Sequence, residues 1–112
     1  MKSKYKAQKT YFDGIRFDSK AEAKRYQKLK TAQDTGLISD LELQPEYEIL
    51  PAYRKNGKAV RRMVYRADFR YQVDGMTIVE DVKGVETEAF KIKKKLVEYF
   101  YPEISITLVR AK

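Results

Sequence analysis

The stretch from Met63 to Lys83 limits the fold more than any other, because two alternating runs meet at a dipeptide that turns a chain back on itself. In the first run Met63, Tyr65, Ala67, Phe69, Tyr71 and Val73 alternate with Val64, Arg66, Asp68, Arg70 and Gln72, the period of two of a strand with one apolar face. The second run places Thr77, Val79, Asp81 and Lys83 on one face and Ile78, Glu80 and Val82 on the other. Asp74-Gly75 between them tolerates the positive φ angles of a two-residue hairpin turn. Counting outward from that turn pairs Val73 with Met76, Arg70 with Val79, Asp68 with Asp81 and Arg66 with Lys83.

Residues facing each other across antiparallel strands hold their Cβ atoms about 4.5 to 5.5 Å apart, where like charges repel. Two aspartates in that position need a partner. Mg²⁺ or Mn²⁺ is one, since hard divalent cations take oxygen ligands and Mg²⁺ commonly uses only one or two protein carboxylates, leaving room for phosphate and water. Lys83, two residues beyond Asp81 on the same face, would then lie near a phosphate and stabilise charge that grows on it. The alternative is an exposed sheet face on which Arg66, Arg70 or Lys83 neutralises the aspartates in ion pairs worth at most about 1 kcal/mol each.

The chain has no cysteine and no histidine, which excludes a disulfide framework, a thiolate metal site, a thiol nucleophile and an imidazole base. Hydrolytic chemistry would fall to carboxylates, lysines, hydroxyls or a cation held by oxygen. Lys and Arg total 24 against 16 Asp and Glu, and the net charge of +8 favours a polyanionic partner, nucleic acid first. A basic surface kept for solubility is the other reading. No apolar run is long enough to span a membrane or to serve as a secretory signal, so no membrane association and a cytoplasmic location are expected.

A length of 112 residues predicts a single domain, here residues 10–112, preceded by a basic arm over 1–9 whose Lys2, Lys4, Lys6 and Lys9 can lie along phosphates. Lys9 to Asp18 reads as a short hairpin around Asp13-Gly14. A helix follows, opened by a capping box of Ser19 and Glu22 and stopped at Gly36, with Glu22, Tyr26 and Leu29 on one inward stripe. The capping role alone would explain Glu22. Ile38 to Leu50 is extended and bent at Pro45, and Tyr53 to Ala59 is an exposed turn or loop around Asn56-Gly57, with Arg54, Lys55, Arg61 and Arg62 placed to meet DNA. A second helix runs from about Thr87 to Tyr101, its polar face carrying Lys91, Lys94 and Lys95 with Glu98, and a closing strand lies within 104–109. The expected fold is α/β of the α+β kind, a mixed, mainly antiparallel sheet flanked by two helices.

These residues resemble the PD-(D/E)XK nuclease superfamily over nearly the whole chain. Glu22 in SKAEAKRY matches the helix glutamate of that superfamily, Asp68 in YRADFRY its first-strand acid, and Asp81-Val82-Lys83 in VEDVKG its second-strand motif. Ala67 stands where the motif name has proline, and Asp81 replaces the more frequent glutamate. Glu80 is an adjacent acid that strand alternation points to the opposite face. The resemblance extends to small phage and prophage nucleases and to endonucleases of the Holliday-junction-resolvase kind.

The resemblance implies a restriction-endonuclease-like core and a Mg²⁺-dependent (or Mn²⁺-dependent) endodeoxyribonuclease in a bacterial host or phage-infected cell. Asp68, Asp81 and the Val82 carbonyl would hold the metal. Glu22 would orient the attacking water or complete a second metal position, and Lys83 would act on the phosphate. A homodimer is expected if both strands of a duplex or junction are cut. Two further readings stand beside this one: a non-catalytic nucleic-acid-binding module with a degenerate nuclease fold, and a ribonuclease acting on structured RNA.

Overall fold

The computed structural model describes residues 9–111. Of the expected basic arm only Lys9 falls among them, exposed, while Lys2, Lys4 and Lys6 lie outside the described residues. Strands β1 (Thr10–Phe12) and β2 (Ile15–Phe17) form the expected hairpin, with Phe12 opposite Ile15 and φ of +56° at Asp13 and +74° at Gly14. Helix α1 (Lys20–Asp34) starts where Ser19 Oγ accepts the Glu22 backbone N–H at 3.1 Å. It closes in a Schellman motif, Leu37 N–H donating to the Ala32 carbonyl at 2.8 Å and Gly36 N–H to the Gln33 carbonyl at 3.0 Å, with Gly36 at φ +85°.

The extended middle of the chain forms one long bent ribbon. Strands β3 (Ser39–Leu43) and β4 (Glu46–Leu50) run through Gln44-Pro45, and β7 (Met63–Arg66) and β8 (Phe69–Val73) run back through Ala67-Asp68. Between these pairs lies a hairpin, β5 (Tyr53–Lys55) and β6 (Lys58–Val60), so the segment expected as a turn or loop contains two short strands around Asn56-Gly57. The turn chemistry was visible in sequence, but Arg54, Lys55 and Lys58 conceal any apolar alternation.

The run from Met63 to Val73 is not the single strand that its alternation predicts. Pro45 has no N–H to offer a ladder, and Gln44 before it turns to φ +52°. The ribbon pivots there, bridged by Gln44 N–H to the Asp68 carbonyl at 3.0 Å and Ala67 N–H to the Pro45 carbonyl at 3.0 Å. Consequently β8 pairs with β3, while β7 pairs with β4, and Arg66 lies opposite Glu46 instead of Lys83. The pivot also divides the apolar face: Tyr65 and Ala67 enter one core cluster, Phe69 and Tyr71 the other.

Strand β9 (Met76–Lys83) pairs antiparallel with β8 in the expected register, Val73 opposite Met76 and Arg70 opposite Val79, ending at Phe69 opposite Glu80. Helix α2 (Glu88–Phe100), N-capped by Thr87, then carries the chain to β10 (Ile106–Arg110), which lies parallel to β9 as a helical crossover permits. The central sheet has the order β10-β9-β8-β3. Alternate residues of β9 feed two cores. Val79 joins Phe90 and Val97 of α2, whereas Ile78 and Val82 join Ala23, Tyr26 and Leu29 of α1. The fold is therefore α+β, with a mixed, mainly antiparallel sheet and two helices. No helix among the described residues is long and apolar enough to cross a membrane.

Candidate active site

The ribbon's pivot leaves Asp68 just outside the β8–β9 ladder, one residue before the Phe69–Glu80 pair that ends it. Its backbone N–H donates to the Glu80 carbonyl at 3.0 Å, and its side-chain Oδ2 accepts the Val82 N–H at 2.7 Å. Asp68 is thus fixed to β9 by main chain and side chain together. The N–H and C=O of one strand residue point the same way, so the Val82 carbonyl is directed to the Asp68 side of β9.

Asp81 is almost wholly buried, 3% exposed, on the α2 side of the sheet. The Tyr65 hydroxyl donates to its Oδ2, and Lys83 Nζ stands 3.6 Å from its Oδ1. Lys83 itself lies over the Phe90 ring at 4.7 Å from the centroid, a contact that holds the ammonium near the aspartate without neutralising it. Burial, a hydrogen bond to Asp81 and the Asp81 charge together push the Asp68 carboxyl up to about 8, against a smaller lowering by the Val82 N–H. Burial and the bond to Asp81 also raise the Tyr65 phenol, so it remains a donor.

Glu22 sits half-buried in the first turn of α1, on the helix face it shares with the buried Tyr26 and Leu29, four and seven residues on. Burial and the Asp18 charge raise its carboxyl, the Asp18 backbone N–H lowers it, and Asp81 and Lys83 also act on it. The fold thus brings Glu22, Asp68, Asp81 and Lys83 into electrostatic reach of one another. Among the described residues, however, no three acidic side chains converge as a ready-made metal cage. Two facing carboxylates with a nearby ammonium can share a proton or share a cation.

A family model matches residues 2–112, nearly the entire chain. The chain belongs to the DUF1064 family, described as protein of unknown function. No curated protein and no solved structure matches it.

Two further features of this DUF1064 chain support the site in roles that sequence did not assign, the Tyr65 hydroxyl and the Arg25–Glu80 pair. Tyr65 sits among apolar residues in an alternating run, and its bond to Asp81 depends on the pivot at Asp68, which sequence did not reveal. Glu80, 1% exposed, faces away from Asp81 as alternation predicts, and receives Arg25 of α1 at 2.6 and 2.8 Å together with the Tyr71 hydroxyl. Arg25 is one turn past Glu22, a spacing that marks it only once Glu80 is known to be buried beneath it.

The basic residues expected to meet DNA divide into two groups. Arg62 lies 3.7 Å from Glu46, Lys91 3.4 Å from Glu88, and Lys94 3.1 Å from Glu98, so each has an acidic neighbour. Arg54, Lys55, Arg61 and Lys95 are exposed.

Proposed function

We propose that this chain is a metal-dependent endodeoxyribonuclease with a restriction-endonuclease-like core, acting in the cytoplasm on duplex or branched DNA. The observation that carries the proposal is the Asp68–Asp81 pair, two carboxyls held together at a strand break, one of which stays protonated to about pH 8 in the absence of a cation. Two acids that must share a proton form a donor set suited to a hard divalent ion, which removes the repulsion and the need for that proton. The order of helix acid, first-strand acid and Asp81-Val82-Lys83 supports the same assignment.

Asp68, Asp81 and the Val82 carbonyl would hold Mg²⁺ or Mn²⁺. The ion would supply Lewis acidity at the scissile phosphate and draw a water towards deprotonation. Glu22, whose carboxyl is raised, would accept a hydrogen bond from that water and orient it for attack. Lys83 Nζ would pair with the negative charge that accumulates on the phosphate oxygens as the new P–O bond forms. Asp81, held by Tyr65, keeps Lys83 within 3.6 Å and so limits the positions the ammonium takes.

The test is an incubation of supercoiled plasmid, four-way junction DNA and structured RNA with Mg²⁺, Mn²⁺, Ca²⁺ or EDTA. Cutting of DNA with Mg²⁺ or Mn²⁺ and its loss in EDTA are expected, with Asp68→Asn, Asp81→Asn and Lys83→Ala each at least 100-fold slower. Undiminished cutting by a pure Asp81→Asn protein sinks the assignment. Nucleic-acid binding with no cutting and no calorimetric signal for Mg²⁺ or Mn²⁺ would make the chain a binding module instead.

A further inference from the structure

We infer that the β5–β6 hairpin is a basic arm that enters a groove of duplex DNA beside the candidate site. The choice of DNA rests on the nuclease reading above, while the affinity for a polyanion has its own structural basis. No carboxylate occurs between Glu48 and Asp68, a stretch that holds Arg54, Lys55, Lys58, Arg61, Arg62 and Arg66. Residues 53–59 are all exposed, and among the described residues neither β5 nor β6 packs broadly against a helix or the central sheet.

An isolated two-stranded ribbon is marginal in water. This one is weakened further, because Lys55 lies directly opposite Lys58 and like charges at that distance repel. Its turn is nonetheless well made, with φ of +51° at Asn56 and +77° at Gly57 and with Arg54 Nη2 donating to the Gly57 carbonyl at 2.7 Å. A ribbon shaped this carefully and charged this unfavourably is explained by a polyanion laid against it.

The distribution of charge selects the polyanion. Lys55 and Lys58 share one face with Tyr53 and Val60, and Arg54 occupies the other. Cations on both faces suit a groove with phosphates on either side, whereas a flat lipid surface would engage one face alone. The major groove of B-DNA, about 12 Å wide, admits a two-stranded ribbon. Asp68 lies six steps along the chain from Arg62, which at about 3.3 Å each sets the arm's base no more than roughly 20 Å from the carboxylate pair. That is about six base pairs, so one duplex reaches both.

The test is fluorescence anisotropy with a labelled 30-base-pair duplex in EDTA, where neither metal nor cleavage contributes. Arg54→Gln/Lys55→Gln/Lys58→Gln is expected to raise Kd at least tenfold at about 0.1 M salt and to reduce the slope of log K against log salt by about 2 to 3. The control Lys20→Gln/Lys24→Gln/Lys28→Gln removes the same charge from the exposed side of α1. No loss in the hairpin variant, or equal losses in both, overturns the inference, as does hairpin-dependent binding to phosphatidylserine vesicles without hairpin-dependent binding to DNA. Hairpin-dependent DNA binding with no cutting in Mg²⁺ or Mn²⁺ would overturn the nuclease assignment and leave the arm intact.

Discussion

Arg25 and Glu80 meet through two parallel hydrogen bonds, Nε to Oε1 at 2.8 Å and Nη2 to Oε2 at 2.6 Å, joining α1 to β9 across 55 residues of sequence. Arg25 is one helical turn from Glu22, and Glu80 is the neighbour of Asp81. The pair therefore ties the helix that carries one candidate acid to the strand that carries another. Removing the arginine leaves a carboxylate buried with only the Tyr71 hydroxyl, so Arg25→Ala is expected to cost about 3 kcal/mol in urea unfolding. Glu80→Gln retains shape and a Tyr71 bond and should cost less. A double-mutant cycle on the two residues should give a coupling of at least about 1 kcal/mol. Additive single-residue costs would show that the two bonds contribute nothing jointly.

Tyr65 acts on Asp81 through its hydroxyl alone. Tyr65→Phe keeps the ring against Phe90 and removes a buried bond to a charged acceptor, which is expected to cost about 1.5 to 3 kcal/mol. On the nuclease reading, the Mg²⁺ concentration for half-maximal cutting rises about tenfold, with the rate at saturating Mg²⁺ much less affected. A fall in the saturated rate with unchanged metal dependence would place Tyr65 in direct contact with substrate.

The raised Asp68 carboxyl makes metal-free stability depend on pH. A group that binds its proton more tightly folded than unfolded stabilises the protein fully below its unfolded value near 3.8, and that contribution is lost as pH climbs towards about 8. In EDTA, Tm is expected to decline over that interval for this reason, and Asp68→Asn should flatten the decline. Millimolar Mg²⁺ should flatten it too, most at the upper end. An identical slope in the wild type and in Asp68→Asn would remove Asp68 as its source.

Ser19 fixes the turn on which Glu22 rides. Ser19→Ala removes the acceptor for the Glu22 N–H and should cost about 1 kcal/mol, measured by denaturant unfolding, while Ser19→Asp should restore most of it. Faster amide exchange in the first turn of α1 is expected in the alanine variant alone.

The β8–β9 register was legible because two separate signals agreed, the alternation on each side and the Asp-Gly turn. Helix α1 was legible from its cap and its glycine stop. The fate of Arg66 was not. Pro45 announced a bend in its own strand, but the partner strand bends with it only because hydrogen bonds bridge Gln44 to Asp68 and Ala67 to Pro45, a pairing no local pattern encodes. The Arg25–Glu80 bond escaped for the same reason, since an arginine on a lysine-rich helix looks solvated until its distant partner is placed. The stripe of Glu22, Tyr26 and Leu29 was legible from its spacing, and the structure widens it by Ala23, too small to draw notice in sequence.

Parallel pairing of β10 with β9 sets Leu108 beside Asp81 and Arg110 beside Lys83. A chain emerging from the ribosome can fold its hairpins and α1 early, since those contacts are local. The strand bearing Asp81 gains its second neighbour only after α2 and residues 106–110 have followed. Whatever chemistry these carboxylates perform, a nascent chain still short of that strand holds them in an open, half-covered sheet. Synthesis itself then delays the site's completion until nearly all of the fold is in place.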